Sequence, residues 1–164
     1  MLTKFNCKIS PTETMLDTLS AKFHWIPSSD QIRPSLENVI KKENDNVHHK
    51  TFYESVVDKI LIRYFKIRGT INKKSNKMKS RILLTDLKMK VLLENEYPYK
   101  LHSDTNHYVM WYTYRDMSDS EISQDIYNSL KDIVQNKHFE FVWYENPKMS
   151  VPEVYHVQVF WHLI

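Results

Sequence analysis

The sequence has almost no glycine, and this shortage excludes one large class of ligand site. Gly69 is the only glycine among 164 residues, whereas an average protein contains about 7% glycine. Glycine-rich phosphate loops of the dinucleotide-binding and P-loop kinds are therefore excluded, because their tight turns need several glycines. A bound phosphate group would instead have to be held by a helix N-terminus or by Lys and Arg side chains.

Cysteine is equally scarce, since Cys7 is the only one. A disulfide within the chain is excluded, and a cysteine-based zinc site is disfavoured. We expect no metal and no cofactor. No apolar run approaches the ~18 residues of a membrane-spanning helix, and the first ten residues lack the apolar core of a signal peptide. We therefore expect a cytoplasmic protein without a membrane partner, in the host cytoplasm if the chain is viral.

The residues that are abundant indicate one folded domain over 1–164. Hydrophobic residues make up 41% of the chain and charged residues 26%, a balance typical of globular proteins rather than disordered ones. The net charge is +3, which is too small to indicate a dedicated DNA-binding protein. Lys, Asn and Ile are plentiful while Gly and Ala are rare. This bias indicates an AT-rich genome, such as that of a large DNA virus or an AT-rich microbe.

Helical patterns dominate the first half of the chain. Ser10 and Glu13 form a Ser-x-x-Glu capping box for the first helix, and Thr51 and Glu54 form a similar Thr-x-x-Glu box for the third. Two prolines and a Ser-Ser-Asp turn predict a loop over 23–34. Helices are predicted over 11–22, 35–50, 51–65 and 81–96.

A basic segment between the last two of these helices is predicted to be a mobile loop at about 68–80. It contains Gly69 and four lysines, at positions 73, 74, 77 and 79. Such a segment is most often a solvated loop, but it could also contact RNA or an acidic protein. The Lys73–Lys79 loop is thus the candidate contact for a macromolecular partner.

The second half of the chain reads as a β-α-β-β unit. Strands are predicted over 107–114, 139–145 and 153–164 from their β-branched and aromatic content. Ser118 and Glu121 form a capping box for a helix over 118–136, and 146–152 is a turn. The predicted fold class is α+β: N-terminal helices followed by this unit, with a mainly antiparallel sheet that carries helices on one face.

Two histidines are candidates for chemistry. Alternation along the last strand places His156, Gln158, Phe160 and His162 on a semi-polar face and Tyr155, Val157, Val159 and Trp161 on an apolar face. His107 would share the semi-polar face if its strand is a neighbour. His156 could be a structural histidine bonded to backbone, a ligand-binding or catalytic residue, or a metal ligand. Imidazole titrates near neutrality, so acid–base catalysis by His156 is one alternative.

Two stretches resemble a known family. LLENEYPYKLHSDTNHYVMWY (92–112) is similar to the first motif of the N-acetylglucosamine-induced protein family, a mainly fungal family with a domain of unknown function. FVWYENPKMSVPEVYHVQVF (141–160) is similar to its closing motif, and an amphipathic helix separates the two motifs in both cases. The resemblance covers about residues 80–162. It implies the fold and the place of a pocket rather than an assigned reaction.

The resemblance also implies a set of ligand-binding residues. This sequence departs from the family pattern by Glu96 for Asp, Tyr97 for Trp, Lys100 for Gly and Gln158 for a second His. The last change argues against a mechanism that needs a histidine pair. The implied ligand-binding residues are Asn95, Tyr97, Tyr99, His107, Trp111, Trp143, Asn146, Ser150 and His156.

Three functions remain open on these grounds. The first is a domain that binds a small polar ligand, such as a sugar phosphate or a nucleotide, in a cleft of His, Asn and aromatic side chains. The second is a protein- or RNA-interaction factor without catalysis, viral or cellular. The third is a phosphoester or nucleotide hydrolase that uses His156. Whether the chain is an enzyme is left undecided by the sequence.

Overall fold

A computed structural model describes residues 7–8, 34–101, 103–146 and 149–164. The helix predicted over 11–22 and nearly all of the loop predicted over 23–34 lie outside these residues. The helices and strands are, in chain order, β1 (Cys7–Lys8), α1 (Leu36–Phe52), α2 (Val56–Arg63), β2 (Gly69–Asn72), β3 (Lys77–Ser80), β4 (Lys90–Glu94), β5 (Asn106–Tyr112), α3 (Asp119–Ile133), β6 (Phe139–Tyr144) and β7 (His156–Leu163).

Five of these strands form one sheet in the order β1-β6-β7-β5-β4. Only β1 pairs in parallel, with β6; the other three pairings are antiparallel. Helices α1 and α2 precede the β5-α3-β6-β7 unit. The predicted α+β class, with helices followed by a β-α-β-β unit and a mainly antiparallel sheet, is therefore confirmed.

One face of the sheet carries the larger core and is covered by α3. Ile122, Ile126 and Leu130 recur every four residues along α3 and are buried. They pack with alternate residues of the strands, since successive strand side chains point to opposite faces. The Ser118–Glu121 capping box at the start of α3 is present, as the sequence predicts. The strand residues in this core include Met110, Tyr112, Phe141, Trp143, Val157, Val159 and Trp161.

The other face of the sheet carries a second, smaller core beneath α2. Ile60, Leu61 and Phe65 are buried there, and Trp111 of β5 packs against them. Helices thus lie over both faces, where we expected them mainly on one. The reason is visible in β7, where His156, Gln158 and Phe160 are buried like the apolar residues on the other face of the strand. A sheet whose central strands are buried on both sides needs cover on both sides.

The helix predicted over 51–65 is divided in the structure. Helix α1 continues through Phe52, and Tyr53 ends it in an extended conformation. Helix α2 begins at Val56, where the Ser55 side chain accepts a hydrogen bond from the Asp58 backbone N–H. Thr51 does not cap a helix, because its hydroxyl donates to the His48 carbonyl oxygen one turn earlier. Ser55 is thus the N-cap that the sequence reading missed.

The prediction of a helix over 81–96 is wrong. The segment contains a short 3₁₀ turn (Leu84–Asp86) followed by strand β4, which pairs with β5 at the edge of the sheet. Pairing places Leu92 in the larger core and Val91 beside the smaller one. Leucine-rich segments have good helix propensity, but burial against a neighbouring strand outweighs the few tenths of a kcal/mol per residue involved.

The basic segment predicted as a loop is a regular β-hairpin. Strands β2 and β3 pair in register from Gly69 opposite Ser80 to Asn72 opposite Lys77. The absence of a side chain at Gly69 matters here, since a Cβ would lie 2.7 Å from Met78 Sδ and 2.9 Å from Ile62 Cδ1. The hairpin is attached to α2, because the Ser80 N–H donates to the Asp58 carboxylate at 2.8 Å. In the described part of the chain, no helix is both long and apolar enough to cross a membrane.

Candidate functional site

A cavity of about 290 Å³ lies between α1, α2 and the face of the sheet that carries the smaller core. Its walls come from α1, α2, β4, β5, β7, the 95–97 loop and the 150–151 segment. It is lined by Lys42, Asn46, Lys50, Val56, Lys59, Ile60, Tyr64, Leu93, Glu94, Asn95, Glu96, Tyr97, Val109, Trp111, Ser150, Val151, His156 and Gln158.

Two stacked rings form part of the sheet wall. Trp111 and His156 are directly opposite each other in the β5–β7 pairing, and their rings stack with centroids 4.3 Å apart and an interplanar angle of 26°. Tyr64 of α2 contacts the Trp111 ring with centroids 5.2 Å apart. The aromatic contacts on Trp111 therefore hold the imidazole of His156 in a fixed orientation.

The protonation of His156 follows from its hydrogen bond. Nδ1 lies 2.8 Å from the Val154 carbonyl oxygen, which can only accept, so Nδ1 carries the proton. Nε2 then holds a lone pair, and no described residue bonds to it. Burial lowers the pKa of His156, the bond to Val154 opposes this, and the charges of Lys42 and Arg115 add to the lowering. At neutral pH the site thus contains an imidazole that can accept a proton or a hydrogen bond.

Lysine ammonium groups dominate the charge of the cavity. Lys59 on α2 is only 7% exposed, and no carboxylate of the described residues forms an ion pair with it. Burial lowers the pKa of Lys59, partly offset by the negative charge of Glu96. Lys42 and Lys50 line the same cavity from α1. The residues Lys42, Asn46 and Lys50 are spaced by four, which places them along one face of the helix.

The two carboxylates of the lining do not neutralise this charge. Glu96 accepts a hydrogen bond from the Tyr64 hydroxyl at 3.1 Å and lies 3.6 Å from the Arg63 guanidinium. Glu94 is exposed at the end of β4. Three lysines therefore face two carboxylates, one of which already has a cationic partner. The cavity is electropositive.

The segment after β4 adds hydrogen-bonding groups to the cavity. Asn95 Oδ1 accepts from the Tyr97 backbone N–H at 2.8 Å, and Asn95 Nδ2 donates to Gln158 Oε1 at 3.4 Å. The Tyr97 hydroxyl donates to Asp45 on α1 at 2.8 Å, and Asn38 Nδ2 donates to the Pro98 carbonyl at 3.0 Å. This loop is thereby held between the sheet and α1.

His107 is a positioning residue for the same loop and does not line the cavity. Its Nδ1 accepts from the Tyr99 backbone N–H at 3.1 Å, so its Nε2 carries the proton and donates to Gln158 Oε1 at 2.6 Å. Its ring stacks on Phe160, with centroids 4.6 Å apart. His107 is 3% exposed, and burial lowers its pKa to about 4, although the Gln158 bond acts in the opposite direction. His107 is therefore neutral at pH 7.

The structure brings together five of the nine residues implied by the family resemblance. Asn95, Tyr97, Trp111, Ser150 and His156 line the cavity. His107 shares their face of the sheet, as we expected for neighbouring strands. However, it lies opposite Phe160, two positions beyond the Val109–Gln158 pair, and so is remote from His156. Its role is to hold the loop that supplies Asn95 and Tyr97.

Four of the nine residues lie outside the lining. Tyr99 contacts the rings of His107 and Phe160, beside His107 rather than in the cavity. Trp143 is fully buried in the core beneath α3, on the opposite face of the sheet, and its Nε1–H donates to the Ser123 hydroxyl at 2.8 Å. Asn146 follows β6 and does not reach the cavity. Alternation along 139–145 would have placed Trp143 with the apolar set.

The sequence reading missed the cationic residues of the site. Lys42, Asn46 and Lys50 carry a detectable signal, namely their four-residue spacing in a polar stretch that otherwise looks like a solvated helix. Lys59 carries a second signal, because it immediately precedes the apolar pair Ile60 and Leu61 in a short amphipathic helix. Neither signal shows that α1 and α2 face the same cavity, because that depends on the packing of the helices.

The part of the chain that the structure describes holds no group of three or more His, Cys, Asp or Glu side chains that could bind a metal ion. His156 therefore does not belong to such a group among the described residues. The chemistry that the described side chains support is hydrogen bonding and charge neutralisation of an anion.

Comparisons with known proteins add no function. No protein-family model matches the chain, and no curated protein matches it. One solved structure, described as the crystal structure of HTC1, aligns with 12% identity and a TM-score of 0.44, covering 81% of this chain and 77% of that chain. A likeness at this level carries no argument. The resemblance to the N-acetylglucosamine-induced protein family stays a prediction.

Proposed function

We propose that this domain binds a small polar anionic ligand, such as a sugar phosphate or a nucleotide, in the cavity between α1, α2 and the sheet. The observation that carries the proposal is Lys59, a buried lysine that faces the cavity without a carboxylate partner among the described residues. Burying an ammonium group without a counter-charge costs several kcal/mol. A bound anion would supply that counter-charge.

The other groups of the cavity fit the same class of ligand. Lys42 and Lys50 add positive charge, and Asn95, Gln158 and Ser150 offer hydrogen bonds to hydroxyl groups. His156 Nε2 can accept from a ligand hydroxyl, or take up a proton when an anion arrives. A cavity of about 290 Å³ lies at the lower end of the range for small-molecule sites. The apolar wall of Trp111 and Tyr64 suits the carbon side of a sugar.

The test is calorimetric titration with inorganic phosphate, glucose 6-phosphate and AMP, at low salt and again at 0.15 M salt. At least one of them should bind, and Lys59→Met should weaken binding by about tenfold or more, since a charge-assisted hydrogen bond contributes ~1.5–3 kcal/mol. Lys131→Met is the matched control, because Lys131 is exposed on α3 beyond the opposite face of the sheet. Failure of all three compounds to bind the folded protein would refute the proposal.

Lys59→Met should stabilise the fold even though it weakens ligand binding. The pKa of Lys59 is lowered in the folded state, so below that pKa the buried ammonium destabilises the fold relative to the unfolded chain. The penalty disappears only as the pH rises towards the unfolded pKa of about 10.4. Lys59→Met should therefore raise the free energy of unfolding at pH 7 while it weakens anion binding. A variant that is both less stable and unable to bind would instead indicate a structural lysine.

A His156-dependent phosphoester or nucleotide hydrolase is the second candidate, and it is supported by the free Nε2 lone pair. Because Nδ1–H is fixed on the Val154 carbonyl, Nε2 is oriented towards a ligand as a base or nucleophile. His156→Gln should abolish turnover of a phosphoester substrate while it leaves ligand binding within a few fold. Turnover that survives this substitution would remove the hydrolase from consideration.

A further inference from the structure

A second cavity lies next to the first and shares Lys59 with it. The second cavity has a volume of about 320 Å³ and is lined by Asn46, His49, Lys50, Tyr53, Glu54, Ser55, Val56, Lys59 and Lys77. Four of these residues, Asn46, Lys50, Val56 and Lys59, also line the first cavity. The two cavities are thus adjacent, and the cleft that they define lies between α1, α2 and the start of β3.

Positive charge extends over the whole length of this cleft. Lys42 lines only the first cavity, Lys77 lines only the second, and Lys50 and Lys59 lie between them. Lys42 and Lys50 are eight residues apart on α1, which corresponds to about 12 Å along the helix axis. Lys42 and Lys77 line different cavities, so each cavity has a lysine of its own that could meet a separate anionic group.

His49 lines the second cavity without offering it a hydrogen-bond donor. The Arg63 guanidinium lies 3.1 Å from His49 Nε2 and can only donate, so Nε2 accepts and Nδ1 carries the proton. His49 Nδ1 is buried and bonds to no described residue. This N–H is inaccessible to solvent and therefore to a ligand in the cavity, so the positive charge that the second cavity offers an anion comes from Lys50, Lys59 and Lys77. Glu54, the one carboxylate of the lining, already accepts the Ser75 hydroxyl.

We infer that the natural ligand carries two separated phosphoryl groups, as in a sugar bisphosphate, with one group in each cavity. The first group lies among Lys42, Lys59 and His156. The second lies between Lys50 and Lys77. This inference rests on the proposed function, because it assigns the ligand class of the same site. It goes further in predicting that the β-hairpin takes part in binding through Lys77.

The test compares fructose 6-phosphate with fructose 1,6-bisphosphate by calorimetric titration of the whole chain. The bisphosphate should bind at least about tenfold more tightly, as one added charge-assisted contact implies. Lys77→Met should lower the bisphosphate affinity to that of the monophosphate and leave the monophosphate affinity unchanged. Lys74→Met is the matched control, since Lys74 is exposed in the turn of the same hairpin and lines neither cavity.

The outcomes separate the two proposals. If neither sugar phosphate binds, and phosphate, glucose 6-phosphate and AMP do not bind either, the proposed function itself fails. If both sugar phosphates bind with equal affinity, or if Lys77→Met has no more effect than Lys74→Met, the inference is overturned while the anion site stands. A short single-stranded oligonucleotide that binds more tightly than the bisphosphate, with loss on Lys77→Met, would overturn the small-molecule assignment in favour of a nucleic acid.

Discussion

Acidification should destabilise this protein through His107. The folded state holds His107 neutral, with Nδ1 accepting from the Tyr99 N–H and Nε2–H donating to Gln158. Protonation would place a second N–H against the Tyr99 N–H, in a site that excludes water. The fold therefore resists the protonation that an unfolded chain accepts freely.

The magnitude follows from the two pKa values. The folded-state pKa is about 4, against an ordinary value of 6.5. Above pH 6.5 both states are neutral and His107 adds no pH dependence. Between pH 6.5 and 4 only the unfolded chain binds the proton, so the stability of the fold decreases by ~1.36 kcal/mol per pH unit. His107 should thus account for a loss of about 3 kcal/mol between pH 7 and pH 4.

The assay is urea denaturation of the wild type and His107→Gln at several pH values between 7 and 4. Carboxylates and the other histidines also titrate over this range, but they are common to both proteins. The wild type should lose about 3 kcal/mol more than the variant on going from pH 7 to pH 4. His138→Gln, at an exposed position after α3, is the control and should follow the wild-type profile.

Parallel pH profiles of the wild type and His107→Gln would show that the fold does not resist protonation of His107. A nuclear magnetic resonance titration gives an independent check, because the imidazole of His107 should titrate near pH 4. A midpoint near 6.5 would mean that the ring is accessible to water, and that it does not hold the 95–99 segment as described. Ligand binding should weaken over the same acidic range, since this segment supplies Asn95 and Tyr97 to the cavity.

Two further predictions concern residues outside the cavity. Trp143→Ala should lower the free energy of unfolding, measured by urea denaturation, by about 3–5 kcal/mol, because the side chain is fully buried beneath α3. The affinity for any ligand should stay unchanged. A folded variant with weakened binding would show that Trp143 contributes to the site. Ser118→Ala should lower the free energy of unfolding by about 1 kcal/mol, because the Ser118 hydroxyl accepts from the Glu121 N–H at the start of α3. Ser120→Ala, in the first turn of the same helix, should have little effect. Equal melting temperatures for the two variants would contradict the capping role.

The predictability of the fold differs between the two halves of the chain. The β-α-β-β unit was predicted nearly element by element, because its strands alternate and its helix has both a capping box and a four-residue apolar repeat. The first half was predicted less well. The 81–96 segment is rich in leucine, and the turn signal of Asp86 in its middle was overlooked, so its pairing with β5 is what identifies a strand. The hairpin at 69–80 lacks the Asn-Gly or Asp-Gly signal of a short hairpin turn.

The residues of the candidate site also differ in how well the sequence predicted them. His156 and Trp111 could be found from the sequence, because alternation places them on one face of neighbouring strands, whereas Asn95 was implied only by the family resemblance. The lysines could not be assigned, because Lys42, Lys50, Lys59 and Lys77 come from three elements that are joined only by packing. Their charge looks like ordinary surface charge until the cavity between α1 and α2 is known.

From the sequence alone one can derive the class of fold, the apolar composition of the larger core and the exclusion of glycine-rich phosphate loops. These properties depend on local periodicity and on residue counts, both of which the linear sequence contains. The packing of helices on the sheet was needed to see that His107 holds the 95–99 segment while His156 faces a cavity. It was also needed to see that Trp143 lies on the opposite face of the sheet, and that Lys59 is buried without a carboxylate partner among the described residues. Those properties depend on strand order and helix packing, which set burial, and burial decides both the protonation of a side chain and its access to a ligand.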